Sequence, residues 1–553
     1  MEKIFEHYEV GGAWDEMIQP NGTPRLSALE LHHILSSLSP DEFNERCAER
    51  DRAFLDRGVT FSLSGEERPF PLDPIPRIFA PEEWELIEEG VKQRVRALEL
   101  FLNDVYTKAE IINDGVIPHK LVAKSPLFAR EAHGITTPNQ VRIPVAGIDL
   151  IRDEHGTFRV LEDNVRTPSG VSYVIENRRA MTQIFPELLS SHRIEPVANY
   201  PRQLLEALRS ATPVRAGSTP TIVVLTPGVY NSAYFEHSFL ARQMGVELVE
   251  GRDLICRQNV VYMRTTSGER RVDVVYRRID DEYLDPVFFR HDSVLGCAGI
   301  INAARAGNVT IASAVGNGVA DDKLTYTYVP DIIRYYLGQE PLLPNVPTYR
   351  PEEPDQLAMI IERIDRLVIK PVDASGGYGL VIGPVATAET LDATIAALRS
   401  SPRSFIAQEV VQLSTAPTKI GNRIEPRHID LRPFAVNSGD KISVLPGGLT
   451  RVALPKGSLI VNSSQGGGSK DTWVIAKGSP IRLASMPRNQ VVTAERTTPT
   501  TFPLPELPEE AHREGLTGQI QGAQQQQQQD EADHIMAHPG FYGKTFRGEF
   551  DVE

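Results

Sequence analysis

Apolar residues recur at three- and four-residue spacing through Trp84, Ile87, Val91, Val95, Leu98, Leu102 and Val105, directly after Pro81, Glu82 and Glu83. Proline and two acids in a first turn, followed by one apolar stripe, predict an amphipathic helix that buries a single face. Residues 1–120 read as mainly helical, with Trp14 and Trp84 as packing residues. From Val141 the pattern changes to strand, turn, strand: Val141 to Arg152, then Asp153-Glu-His-Gly, then Thr157 to Asn164. The turn pairs the two strands and sets Asp149 near Glu162 and Asn164. The last two are two positions apart, so they project from one strand face.

Residues 220–330 read as an α/β unit. Thr221-Ile-Val-Val-Leu is a buried-type strand, Ser232 to Met244 a helix, and Val246-Glu-Leu-Val and Val272-Asp-Val-Val-Tyr further strands. The last ends in Arg277, Arg278, Asp280, Asp281 and Glu282. Carboxyl ends of strands face the ligand crevice in open α/β sheets, so this cluster is a candidate substrate contact; an exposed ion-pair cluster fits the same residues. Further on, Leu367-Val-Ile is a short buried strand that ends in Lys370 and Pro371, followed by Ser375, Gly376, Gly377 and Gly379 and a second strand from Leu380. Glycines let backbone amides approach an anion closely, and the lysine supplies a point charge, so a flap over phosphates is one reading and a glycine-rich hairpin beside a surface lysine the other. A strand from Ser404 carries Gln408 and Glu409; alternation puts Asp430 and Arg432 on one face of the next; Asn462 to Lys470 is an amide-rich turn without P-loop spacing. Beyond Arg488 the chain turns to Thr, Pro, Glu and Gln, with consecutive glutamines from Gln524 to Gln529, and residues 488–553 read as a disordered tail.

Composition narrows the classes. The chain has 553 residues, enough for two or three domains, and a net charge of -15 that argues against general affinity for nucleic acid or anionic membrane. Cys47, Cys256 and Cys297 contain no CxxC pair and suggest neither a zinc site nor a disulfide framework. The charged amino terminus lacks a signal-peptide core, and the protein reads as cytoplasmic. Asp149, Glu162 and Asn164 are hard oxygen donors of the kind magnesium prefers, although an ordinary solvated strand face carries such residues too.

Together the flap lysine, the Gln408-Glu409-Val-Val strand, Asp430-x-Arg432, the Asn462-x-x-x-Gly-Gly run and the Asp149…Glu162-x-Asn164 hairpin resemble the parts of an ATP-grasp domain. Their order is rearranged, with the metal-type hairpin ahead of the α/β unit, and the chain is similar to the circularly permuted type 2 ATP-grasp family, distantly like glutathionylspermidine synthase. The resemblance implies an α/β (α+β) fold laid out as a helical segment 1–120, a permuted ATP-grasp part with the metal ligands 121–200, a pre-ATP-grasp-like lobe 201–330 and an ATP-grasp part with flap, lysine and hinge 331–487. It implies an ADP-forming ligase that joins a small-molecule or peptide carboxylate to an amine through an acyl phosphate. Asp149, Glu162 and Asn164 would hold Mg2+; Lys323, Lys370, Ser375, Gly376, Gly377, Gly379, Gln408 and Glu409 would bind ATP. Such ligases carry an arginine two residues before the first metal aspartate, where this chain has Gly147. An arginine for the reaction centre must come from elsewhere, with Arg432, Arg451, Arg166 and Arg278 available; Arg277, Arg278, Asp280, Asn462 and Gly467 are the substrate-side candidates. Two other classes fit the same residues: a nucleotide-regulated scaffold without turnover, and a phosphotransferase that stops at phosphorylation. His428 reads as structural, and no Ser-His-Asp or Cys-His set is evident.

Overall fold

The computed structural model describes residues 4–63, 66–372, 379–459, 461 and 467–478; the Gln-rich segment beyond Arg488 lies outside them. Two helices open the chain, α1 (Leu29–Ser37) and α2 (Pro40–Asp56). Ser39 caps α2 in a reciprocal box with Glu42, and Pro40 sits in the first turn where its missing amide is harmless. The expected long helix is α3 (Pro81–Val105), and its apolar stripe from Trp84 to Val105 is buried.

Between α2 and α3 the chain forms three strands that the helical reading of residues 1–120 does not contain: β1 (Thr60–Leu63), β2 (Glu66–Pro69) and β3 (Leu72–Phe79). Pro74 and Pro76 hide β3 from a pattern search. They are tolerated because β3 is the edge of its sheet, where one side needs no amide donors.

The hairpin follows as β4 (Val145–Arg152) and β5 (Phe158–Asn164). Next come β6 (Ile222–Leu225) and β7 (Glu247–Val249), a side sheet of β8 (Leu254–Arg257), β9 (Val260–Thr265) and β10 (Gly268–Arg271), then β11 (Val274–Arg277) and β12 (Thr310–Ala312). Strands β12, β11, β6 and β7 lie side by side, all parallel, which is the α/β unit expected from residues 220–330. The helix Tyr234–Met244 crosses from β6 to β7 and ends at Gly245 with φ 68°. A second four-stranded sheet holds β13 (Thr348–Tyr349), β14 (Leu367–Pro371), β15 (Val381–Ile382) and β16 (Phe405–Glu409) in the order β13-β16-β14-β15. A ribbon of β17 (Thr415–Ile420) and β18 (Arg423–His428) leads to β19 (Arg432–Asn437), β20 (Ile442–Val452) and β21 (Gly468–Val474).

The largest sheet has six strands in the order β3-β21-β20-β19-β4-β5, so segments from three distant parts of the sequence meet in it. Its side chains share one core with the α/β unit: Phe434 and Trp473 pack in the same cluster as Val224 and Tyr276. Among the described residues no helix is long and apolar enough to cross a membrane.

Candidate active site

Local chemistry closes the β4–β5 hairpin. Asp153 Oδ1 accepts the amides of His155 at 3.0 Å and Thr157 at 2.8 Å, and Gly156 takes φ 83°. The resulting register pairs Asp149 with Glu162 and Gly147 with Asn164. Asn164 Nδ2 donates to Glu162 Oε1 at 3.4 Å, so the three residues expected from the sequence share one neighbourhood.

Asp149 is buried and carries two guanidiniums. Arg432 grips it through Nε and through Nη2 at 2.8 Å, and Arg451 Nη2 donates to Oδ2 at 2.6 Å. Arg451 is shared with Asp430, whose oxygens accept its Nε at 3.0 Å. Burial drives the Asp149 carboxyl upward, but the Arg432 and Arg451 charges more than reverse it and hold it well below the usual carboxylate range. Arg432 reaches Asp149 across Gly147. A Cβ at Gly147 would lie 3.0 Å from Pro168 Cβ and 3.1 Å from Arg432 Cδ, so the stem of Arg432 fills the room a side chain there would need.

Glu162 is at the open side of this cluster, its side chain 36% exposed, with Arg432 Nη2 at 3.8 Å. Burial and the Asp149 charge raise its carboxyl, opposed by Lys323, Arg432 and Lys370. Those opposing charges come from far along the chain. Strand β14 delivers Lys370, paired with Ile406 of β16. Burial lowers its ammonium from 10.5 to about 8, with Lys323 adding to the fall and Glu162 and Asp149 opposing it. Lys323 opens a short helix that Asp322 caps through the Leu324 amide at 2.8 Å. Tyr326 Oη from that helix donates to Val160 O at 2.7 Å, Asp321 Oδ1 takes the Val165 amide at 2.6 Å, and Lys323 Nζ reaches Val372 O at 3.4 Å. Lys323 is therefore pinned between the end of β5 and the end of β14.

On β16, Gln408 is buried and donates to Thr348 Oγ1 at 3.0 Å and Leu161 O at 3.5 Å. Glu409 is half-buried, held by Tyr349 Oη at 2.7 Å and Arg363 Nη2 at 2.9 Å. Gly379 has φ 67° and Gly467 is buried, whereas Ser375, Gly376, Gly377 and Asn462 lie outside the described residues.

The remaining arginines are differently employed. Arg166 braces two segments through Asp280 at 3.1 Å and Asp321 at 3.2 Å. Arg277 is completely buried and donates to Ser313 O at 2.6 Å and Ile279 O at 2.7 Å, with Asp281 at 2.7 Å. Its donors hold the α/β unit together rather than facing open space. Arg278 is buried beside Glu236, 3.4 Å away, and donates to Ser169 Oγ and Thr167 O in the loop after β5. His428 Nδ1 contacts Leu413 O at 2.8 Å, consistent with a structural histidine. Sequence reasoning did not single out Glu236, which takes the Gly170 amide at 2.7 Å and the Ser172 amide at 3.0 Å. A charged residue between Phe235 and Phe239 on an apolar helix face was the available signal. Tyr349 and Arg363 offered none.

A family model described as circularly permuted ATP-grasp type 2 matches residues 76–453. An uncharacterized protein of Mycobacterium tuberculosis is 57% identical over 89% of this chain and 90% of its own length. A Frankia alni protein provisionally named glutamate--cysteine ligase 2-3 is 44% identical over 85% of this chain, which spans 54% of that longer protein. Among solved structures, a glutathione synthetase-like effector from Globodera pallida superposes with a TM-score of 0.53 at 12% identity, covering 79% of this chain and 98% of the effector, a likeness of fold.

Proposed function

The chain belongs to the circularly permuted type 2 ATP-grasp family, and from that premise we propose that it is an ATP-dependent, ADP-forming ligase that joins a carboxylate to an amine through an acyl-phosphate intermediate. One observation carries the reading: the strand of Glu162 and Asn164 is tied to the elements of two lysines contributed more than 150 residues later, since Tyr326 of the Lys323 helix bonds Val160 O, Gln408 beside the Lys370 strand bonds Leu161 O, and Lys323 Nζ reaches Val372 O just past that strand. An isolated like-charge carboxylate pair is costly, and a site that holds it beside cations is organised around something multiply charged.

The donor set fits a hard divalent cation. Among the described residues no three His, Cys, Asp or Glu side chains converge, but two carboxylates and the Asn164 amide do: Glu162 keeps an oxygen clear of the arginines, and Asp149, whose Oδ2 accepts two guanidinium bonds, accepts only one on Oδ1 and keeps a lone pair there. Asp149, Glu162 and Asn164 would hold magnesium, which supplies charge neutralisation at the nucleotide phosphates. The chain's own residues do the rest. Lys370 and Lys323 attract the phosphates as point charges, while Glu409 with Gln408 lines the base and ribose side. The guanidinium of Arg432, fixed by Asp149 and by Nη1 donating to Ser169 O at 3.3 Å, offers its remaining N–H groups to the phosphoryl group in transit, and Arg451 steadies Asp149 from behind. A substrate carboxylate is a poor electrophile because its leaving group is oxide. Its oxygen attacks the γ-phosphorus, the bond to ADP breaks, and the acyl phosphate then loses inorganic phosphate to an incoming amine, whose proton leaves to solvent.

The name of the Frankia relative supports amino-acid-like carboxylate and amine substrates. Incubating purified protein with ATP, magnesium and pools of amino acids and small amines tests the reading: ADP together with a condensed product is expected. ADP with a stable phosphorylated product would point to a phosphotransferase instead, and nucleotide binding with neither product to a scaffold.

A further inference from the structure

Glu16 lies ahead of the residues that the family model matches, in a segment with no chemistry of its own to advertise. It is 5% exposed, and its carboxylate is the shared acceptor of two buried guanidiniums. Arg77 Nη2 donates to Oε1 at 2.6 Å and Arg152 Nη1 to Oε2 at 2.8 Å, with Ser414 Oγ also on Oε1 at 2.8 Å. The backbone holds it there. Glu16 N donates to Thr415 O and Thr415 N to Trp14 O, both at 2.8 Å, so residues 14–16 lie beside the start of β17 in a single parallel bridge. Asp15 fixes the turn that follows by accepting the amides of Met17 at 2.9 Å and Ile18 at 2.7 Å.

Arg77 links this segment to the site. Its Nη1 donates to the carbonyl of Asp430 at 3.1 Å, and the Asp430 carboxylate holds Arg451, which holds Asp149. The same stretch is tied to β4, because Leu431 N donates to Leu150 O at 2.9 Å and Leu150 N to Leu431 O at 2.8 Å. Every member of the series Glu16, Arg77, Asp430, Arg451, Asp149 is buried. Arg152 has a second carboxylate in Glu83, but Arg77 has no other ion pair among the described residues. A buried guanidinium that loses its ion-pair partner draws in water or turns away, and here that withdraws a bond from the Asp430 carbonyl.

We propose that Glu16 is a positioning residue for the Asp430–Arg451–Asp149 side of the active site, acting through Arg77, so that the amino-terminal segment is a working part of that site. The inference rests on the ligase reading, and its test separates the two. In the full-length protein, Glu16→Gln removes the charge and keeps the shape. Hydrogen exchange is expected to quicken about tenfold at the Asp430 and Leu431 amides while β6 and β11 change less than about twofold. Turnover of ATP is expected to fall about tenfold with the KM for ATP within about threefold, the signature of a misplaced group rather than a lost ligand. Exchange that rises evenly across both sheets, or that stays unchanged at Asp430 and Leu431, overturns the proposal by making Glu16 a strut or a bystander. Wild-type protein that never releases ADP sinks the ligase reading alone, because the exchange result still decides this one. Should Glu16→Gln fail to fold, Ser414→Ala keeps the charge and removes one bond to it. The same local pattern is then expected at about threefold, and its absence is equally decisive.

Discussion

Lys370 and Lys470 look alike in the sequence: each adjoins a glycine-rich run and each ends or begins a strand. Their surroundings differ in kind. Lys470 is 1% exposed and its ammonium is fully engaged, by Asp73 and by the carbonyls of Pro417 at 2.7 Å and Ile75 at 3.2 Å. Lys370 is half-buried, its ammonium has no hydrogen bond or ion pair among the described residues, and it meets Glu162 and Lys323 only through space. One cation ties a sheet edge to a ribbon; the other is left uncommitted, in surroundings that make its charge easier to lose. A lysine beside glycines is thus a candidate for anion binding only when no carboxylate from elsewhere in the chain has already claimed it.

Exchanging each lysine for alanine is the strongest way to break that contrast. Lys470→Ala leaves Asp73 buried without its counter-charge and is expected to cost about 3–5 kcal/mol of stability, read from denaturant unfolding, with the nucleotide affinity of the folded fraction unchanged. Lys370→Ala is expected to do the reverse: little change in unfolding and ATP binding weakened by about 1.5–3 kcal/mol in calorimetry. Equal stability losses would mean that the two ammoniums have the same job.

Next in size is the partner carboxylate. Glu162→Gln keeps volume and hydrogen-bonding capacity while removing the charge that faces Lys370, and turnover is expected to fall about 10²- to 10³-fold with the fold retained. Melting should hold or rise slightly, since a like-charge contact with Asp149 is relieved. Undiminished ADP release would remove the hairpin from the mechanism.

The pH dependence of Lys370 sharpens the comparison further. Its folded-state pKa is depressed from 10.5 to about 8, so folding favours the neutral amine. Its contribution to stability is present above the unfolded value and is lost as pH falls from 10.5 through 8. Phosphate binding needs the opposite form. Without nucleotide, this group adds stability as pH rises through that window, whereas ATP affinity declines above about pH 8; calorimetry at pH 7 and pH 9.5 checks the sign. Lys370→Ala should flatten most of the decline.

How much of this was legible in the sequence follows from how local each signal is. The hairpin announces itself through Asp153 and Gly156, and two-residue periodicity then places Glu162 beside Asn164, so the grouping of Asp149, Glu162 and Asn164 on one hairpin could be read directly. The helix Pro81–Val105 was equally plain. The engagement of Lys470 was not, because Asp73 is 397 residues away and sits in a strand broken up by prolines. Arg277 and Arg278 are neighbours with the same chemistry, yet one is bonded inside the α/β unit and the other reaches the loop after β5, a distinction set by strand pleat and packing. The layout of ATP-grasp parts came from resemblance; among the four arginines it left open for the reaction centre, the contact that singles out Arg432 for our proposal, its stem lying across Gly147, is a matter of packing and not of pattern.

That last contact carries the smallest prediction. Gly147 has no left-handed backbone requirement, so Gly147→Ala should gain about 0.4–1 kcal/mol by restricting the unfolded chain. Against this, the new methyl meets Pro168 at 3.0 Å and the Arg432 stem at 3.1 Å, closer than ordinary contact. Pro168 is part of a rigid ring, so the side chain that yields is Arg432. Its bidentate grip on Asp149 then tilts by a few tenths of an ångström. Stability is expected to stay within about 1 kcal/mol of wild type, because gain and clash offset each other. Turnover should still fall about three- to tenfold, since a phosphoryl-facing guanidinium is sensitive to small displacement. If both melting and turnover are unchanged, Arg432 has slack at Gly147 and its outer face is not held for catalysis; if ATP affinity falls while turnover per bound nucleotide is unchanged, Arg432 belongs with Lys370 as a binding group.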